Sequence, residues 1–258
     1  MVQPYRRPAW PGLLPARPIY APAHPDTANA IRSALQITAP VFALQNAGGA
    51  SPTFRIDDQA PLFVKLVSAE RWRELREAEL IARWLAAQGA PAIAARVYPF
   101  ADGRPPGPSQ DAGTVGAGVG SLHAALKSHP DIAEWQQLTD RRLDRLVAIR
   151  ASLASGELTA GPRPDQLRLL ADDRSISFLP GAHRSGPPRP LHGDLNIFNI
   201  VIENGSARFI DFEDAVHSML SVENELALVC ERVILVQEPD DDAAAAAIEV
   251  LLNAYAEA

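Results

Sequence analysis

The chain has 258 residues, enough for one two-lobed domain or two tightly coupled subdomains. Hydrophobic residues make up 47% and charged residues 21%, a globular balance that excludes wholesale disorder. The net charge of −7 is uneven: residues 1–110 carry 12 Lys+Arg against 8 Asp+Glu, and residues 111–258 carry 12 against 23. An acidic second half excludes the basic stripe that a nucleic-acid partner needs, and leaves room for a cationic ligand.

The first 25 residues hold seven prolines, from Pro4 to Pro25. Proline fixes φ and removes an N–H donor, so residues 1–25 read as an extended, loosely ordered arm. Asp26 then reads as the N-cap of a short helix with Ala30, Ile31, Ala34 and Leu35 on one face. Val41–Leu44 and Thr53–Ile56 are strand-like runs around a Gly48-Gly49-Ala50-Ser51 turn, and Leu62–Val67 is a third strand, apolar except for Lys65. Residues 69–88 have helical periodicity, with Leu80, Ile81, Trp84 and Leu85 recurring and Gly89 as the stop. A short strand, Ile93–Phe100, follows. The rest reads as mainly helical, with two small strands around 191 and 200–210 and two final helices near 221–237 and 240–257.

Cys230 is the single cysteine and sits in an apolar run, Leu226–Cys230, so it reads as a buried, inert thiol in a reducing compartment. No stretch reaches the ~18 apolar residues of a membrane span, and the start does not read as a signal peptide. The expectation is a cytoplasmic protein with no membrane and no nucleic-acid partner.

The chemistry concentrates in Leu191-His192-Gly193-Asp194-Leu195-Asn196-Ile197-Phe198-Asn199, the strand after it, a Glu203-Asn204-Gly205 turn, and Phe209-Ile210-Asp211-Phe212-Glu213. Phosphoryl transfer needs an acceptor hydroxyl held in line and metal ions to neutralise the phosphates. A carboxylate on a loop can take the hydroxyl proton, an amide five residues later can reach a metal, and a second carboxylate after a hairpin can bridge metal and phosphates. Asp194, Asn199 and Asp211 fit those roles in order and spacing. The pattern parallels the protein-kinase catalytic loop and Asp-Phe-Gly segment, with Gly193 in place of the arginine and Glu213 in place of the glycine.

Those two departures resemble the aminoglycoside phosphotransferase and choline kinase-like family, whose loop reads His-Gly-Asp-x-x-x-x-Asn and whose metal segment reads Ile-Asp-(Phe/Trp)-Glu. The resemblance spans roughly residues 28–257. It implies a protein-kinase-like α+β fold after the Pro-rich arm at 1–25: a small antiparallel sheet lobe at 26–103 that binds nucleotide, and a mostly helical catalytic and acceptor lobe at 104–258. It implies ATP and Mg2+ as cofactors, with Asp194, Asn199 and Asp211 catalytic and Asn199 and Asp211 on the metal.

Lys65 resembles the family's ATP lysine. It needs a carboxylate on the next helix, for which Glu77 is preferred on helical phase, with Glu74 and Glu79 as alternatives. Gly48, Gly49 and Ser51 resemble the phosphate-covering loop, and the Tyr98–Arg104 stretch, with Tyr98 and Phe100, the adenine hinge. His123 and His192 read as structural. Asn224-Glu225-Leu226-Ala227 stands where relatives often show Asp-Leu-Ala, and one strand of the first lobe reads as shortened.

The implied activity is transfer of the γ-phosphate to a hydroxyl of a small molecule. An acceptor of cationic, aminoglycoside-like character follows from the acidic stretch after the metal segment, with Glu213, Asp214, Glu223 and Glu225 as its candidate contacts. The alternatives are a kinase of choline, homoserine or sugar type, or a pseudokinase-like binding module. The short connection after Asp211 disfavours a protein-directed kinase.

Overall fold

The computed structural model describes residues 19–45, 52–59, 61–66, 72–90, 98–99, 103–155 and 187–258. Five short strands form one antiparallel sheet in chain order: β1 (Tyr20–Pro22), β2 (Val41–Leu44), β3 (Thr53–Ile56), β4 (Leu62–Lys65) and β5 (Tyr98–Pro99). The end of the expected arm is thus an edge strand. Pro22 is tolerated there because an edge position needs no second set of ladder bonds. The first helix, α1 (Pro25–Leu35), opens on Pro25 rather than being capped by Asp26. Proline is pre-set for a first helical turn, whose N–H groups have no partner in the helix, and Asp26 lies beyond it in the same turn.

Ala28 and Ile31 of α1 pack on Val41, Phe54 and Ile56 to make a small core on one face of the sheet. In β3 the buried residues alternate, Phe54 and Ile56 inward, as a half-covered sheet requires. The register puts Lys65 opposite Thr53 at the end of β4.

The remaining elements are mostly helical: α2 (Trp72–Ala87), α3 (Ala112–Leu126), α4 (Ile132–Ala154), α5 (Val222–Val229), which runs into a π-helical turn at Cys230–Leu235, and α6 (Asp241–Glu257). Between them lie the pair β6 (Arg189–Pro190) and β9 (Met219–Leu220), the hairpin β7 (Ile200–Glu203) and β8 (Ser206–Phe209), and a 3-10 turn at Phe212–His217. Their shared core includes the fully buried Phe209, Phe212, Leu122, Leu195 and Leu251. Each such side chain contributes about 2 kcal/mol by leaving water.

Helix α2 buries Ala78, Ile81, Ala82 and Leu85 in that larger core, not in the sheet's core. The buried stripe is therefore turned away from the side carrying Glu77 and Leu80, both exposed. The end of α2 is fixed by aromatic contacts: Trp84 meets His129 edge-on at 4.6 Å, and His129 stacks on Trp135 at 4.1 Å.

Helices α3 and α6 cross at close range. A Cβ on Gly116 would collide with the Leu251 carbonyl, and one on Gly120 would come within 2.8 Å of the Tyr255 carbonyl, so only glycine lets the two backbones approach. Leu167, Leu169 and Leu170, whose spacing in the sequence reads as a short helix, lie outside the described residues. Among the described residues, no helix is long and apolar enough to cross a membrane.

Candidate active site

The loop between β6 and β7 carries Asp194 and Asn199, and the end of β8 carries Asp211. The ladder of β7 and β8 continues past Ile200–Phe209 through a bond from the Ile210 amide to the Asn199 carbonyl at 3.1 Å. Asn199 and Asp211 therefore leave the same end of one hairpin.

Within the loop the Asn199 amide nitrogen donates to the Asp194 carbonyl at 2.8 Å and to its carboxylate Oδ2 at 3.3 Å. Asn196 also donates to that Oδ2, at 3.0 Å. With its nitrogen so used, Asn199 presents its amide oxygen as the remaining acceptor. That oxygen and the Asp211 carboxylate are donors of the type a hard divalent cation takes.

Asp211 has φ 66 and ψ 62, the left-handed region that an L-residue occupies at a cost of order 1 kcal/mol. The conformation turns the chain out of β8 into the 3-10 turn. There the Asp211 carboxylate meets the Lys65 ammonium at 3.0 Å, and Glu213 meets the same ammonium at 3.2 Å. The lysine is only 17% exposed, so the contact between sheet and helical part is partly shielded from water.

Two histidines and a glutamate hold the loop from behind. His192, fully buried, donates from Nε2 to the Ile210 carbonyl at 2.8 Å and packs its ring 4.5 Å from that of Phe212. Glu225 accepts the Gly193 amide at 2.6 Å, the His192 amide at 3.0 Å and His123 Nε2 at 2.7 Å. Burial opposes the charged carboxylate, but these donors and the nearby histidines outweigh it and hold its pKa below the ordinary value. His123 in turn meets the Tyr255 hydroxyl at 3.1 Å, which ties α6 to the loop.

Gly193 explains one departure from the protein-kinase pattern. Its φ is +91, and an added Cβ would strike the Ser218 hydroxyl and come within 3.0 Å of the Asp214 carbonyl. No larger residue fits that position.

The sequence-predicted residues divide as follows. Asp194, Asn199, Asp211 and Lys65 converge, and Glu213 joins them through Lys65 rather than through an acceptor. Glu77 is exposed, because the buried stripe of α2 is centred on Ala78 and Ala82, and among the described residues the carboxylates on Lys65 are those of Asp211 and Glu213. Glu79 pairs with Arg83 at 2.6 Å, and the side chain of Glu74 lies outside the described residues. Glu225 is 3% exposed and committed to the loop, which removes it from any acceptor wall. Asp214 pairs with Arg142 at 3.1 Å, and Glu223 is exposed. Gly48, Gly49, Ser51 and Phe100 lie outside the described residues, as does the side chain of Tyr98, whose backbone pairs with Phe63 in the sheet. Cys230 is half-buried, and burial pushes its thiol pKa up, away from reactivity.

The contact of Arg232 with Asp194 has no sequence signal. Arg232, on the π-helical turn, places Nη1 3.1 Å from Asp194 Oδ1, 38 positions away along the chain. Helices wound to i→i+5 recur at functional sites.

Solved structures that share the fold include three phosphotransferases. The macrolide 2'-phosphotransferase MphH from Brachybacterium faecium, as apoenzyme, is 17% identical over 90% of this chain and 82% of its own, with a TM-score of 0.53. The GDP complex of wild-type aminoglycoside 2'-phosphotransferase-IIIa is 16% identical over 89% and 88%, at 0.53. The streptomycin–ATP–APH(2")-IIa ternary complex is 13% identical over 92% and 96%, at 0.53. No curated protein matches the chain. The model of the phosphotransferase enzyme family matches residues 43–258. With most of its length under that match, and with the small antiparallel sheet and helical part of a protein-kinase-like fold, the chain belongs to the phosphotransferase enzyme family.

Proposed function

We propose that this phosphotransferase moves the γ-phosphoryl group of ATP to a hydroxyl of a small molecule. The observation that carries the reading is the convergence of four side chains from distant parts of the chain: Asp194 and Asn199 on one loop, Asp211 at the end of the adjoining hairpin, and Lys65 from β4 in contact with Asp211. Two similar structures, one complexed with GDP and one with ATP, support a nucleotide donor.

In this reading Asp194 accepts the proton of the acceptor hydroxyl and holds its oxygen in line. Asn196 and Asn199 fix the carboxylate's rotamer through Oδ2, which leaves Oδ1 for the acceptor once Arg232 yields or shares it. Lys65 holds phosphate oxygens, with Asp211 and Glu213 setting its position. Asn199 and Asp211 would hold Mg2+, which neutralises phosphate charge when bound. Magnesium keeps several waters and takes only one or two protein carboxylates, so this small oxygen set suits it. Residues 26–103 contribute the nucleotide side and 104–258 the acceptor side.

The test is ADP release from ATP and Mg2+ across a panel of aminoglycosides, macrolides, amino alcohols, sugars and sugar phosphates, with Asp194→Asn as the paired control. Acceptor-stimulated ADP release in the wild type and its loss in Asp194→Asn is the expected result. Equal release by both proteins, or failure of the wild type to bind nucleotide, sinks the reading.

A further inference from the structure

The acidic stretch after Asp211 suggests a cationic acceptor in the sequence, but the folded chain brings three arginines to it. An open cavity of about 560 Å³ lies between α4 and the 3-10 turn, lined by Leu138, Arg141, Arg142, Arg145, Glu213, Asp214 and His217. The volume suits a phosphorylated sugar or a molecule of similar size.

The carboxylates of the cavity wall already have cations. Lys65 holds Glu213 and Arg142 holds Asp214. Asp194, beyond them, is paired with Arg232. Among the described residues, Arg141 uses only its Nε, on the Gln137 carbonyl at 3.2 Å, and Arg145 makes no ion pair. Arg141 and Arg145 are four residues apart, so they stand on one face of α4, one turn from each other. Asp140 and Asp144 of the same helix are absent from the cavity lining. Two guanidinium groups without carboxylate partners among the described residues thus line an open volume, and guanidinium is the side chain that takes carboxylate or phosphate oxygens in pairs.

The cavity is also placed for chemistry. Its Glu213 shares Lys65 with Asp211, and its Asp214 backbone packs directly on Gly193, the neighbour of Asp194. We infer that the acceptor is an anionic hydroxyl compound, carrying a phosphate or carboxylate that Arg141 and Arg145 bind in this cavity. The inference rests on the phosphotransferase reading above and gives it a substrate class. It replaces the aminoglycoside-like acceptor expected from local charge, because charges 70 residues away along the chain reverse the sign of the wall.

The experiment uses one scaffold in three charge states: glucose, glucosamine and glucose 6-phosphate, with kanamycin as a polycation. Each is titrated calorimetrically into the full chain saturated with AMP-PNP and Mg2+. Glucose 6-phosphate should bind at least about tenfold tighter than glucose or glucosamine, and its affinity should fall with added salt. Arg141→Gln/Arg145→Gln should remove that preference while leaving Tm unmoved, since both side chains are exposed. The inference is overturned if kanamycin or glucosamine binds tighter than the phosphate ester, if the double variant keeps the preference, or if none of the three sugars binds. Failure of AMP-PNP to bind the wild type, with arginine-dependent binding of glucose 6-phosphate intact, sinks the phosphotransferase reading and leaves the anion site standing. AMP-PNP binding without any preference for the anion sinks the anion site alone.

Discussion

Glu225 and Gly193 meet at 2.6 Å, carboxylate to backbone amide, and this contact fixes the loop that carries Asp194 from a helix 32 positions away. The same buried carboxylate takes the His192 amide and the His123 ring. Removing it leaves three donors without acceptors in a dry site. Glu225→Ala should destabilise the chain by about 3–5 kcal/mol, the range for breaking a buried charged pair. Glu225→Gln keeps one acceptor oxygen and should cost less. Urea unfolding measures both.

The pH dependence of stability carries the same signature. The folded pKa of Glu225 lies below its unfolded value, so the unfolded chain binds the proton more readily. The stabilisation is complete above the ordinary value of 4.5 and is lost as pH falls through the lower folded value. Wild-type unfolding free energy should therefore drop more steeply than that of Glu225→Gln below about pH 4.5. Parallel curves would remove Glu225 as a charged brace.

Lys65 sits between two carboxylates, Asp211 at 3.0 Å and Glu213 at 3.2 Å. Lys65→Met leaves those acids facing each other without a counter-charge. If Lys65 holds phosphate oxygens as proposed, nucleotide affinity should fall with or without Mg2+. Asp211→Ala should instead abolish the Mg2+ dependence while leaving some metal-free binding. Calorimetry with and without metal separates the two. Identical patterns would mean that Lys65 and Asp211 act only as an ion pair.

The motif residues are legible in the sequence because they are close in the chain and their order and spacing match one chemistry. Asp194, Asn199 and Asp211 lie within 18 positions, and a turn at Asn204-Gly205 announces the hairpin that joins them. Lys65 was legible as a charge in an apolar strand. Contacts between distant helices were not. The phase of α2 could be read only to within one neighbouring position, and that difference puts Glu77 outside and Ala78 inside. Glu225 reads in the sequence as a candidate acceptor contact within an acidic run, although its place before Leu226-Ala227 marks it for another role. Arg232 on Asp194 and Arg142 on Asp214 span 38 and 72 positions, and no periodicity connects them.

Asp194 is the residue whose loss should separate chemistry from folding. Its side chain is 39% exposed, so the ion pair with Arg232 is at the surface and worth about 1 kcal/mol or less. Asp194→Asn is isosteric, and Asn196 and Asn199 retain an oxygen to donate to through Oδ1 of the new amide. The unfolding free energy of Asp194→Asn should thus stay within about 1 kcal/mol of the wild type. Its turnover should fall by about 10²–10⁴, the usual loss for a general base. AMP-PNP affinity should be unchanged, because Lys65 and Asp211 are untouched. Arg232→Gln supplies the contrast: it frees Asp194 Oδ1 while leaving the base intact, so acceptor KM should move and the ~10²-fold collapse of kcat should be absent. Near-normal kcat in a well-folded Asp194→Asn would take Asp194 out of the reaction and leave the loop as a binding element.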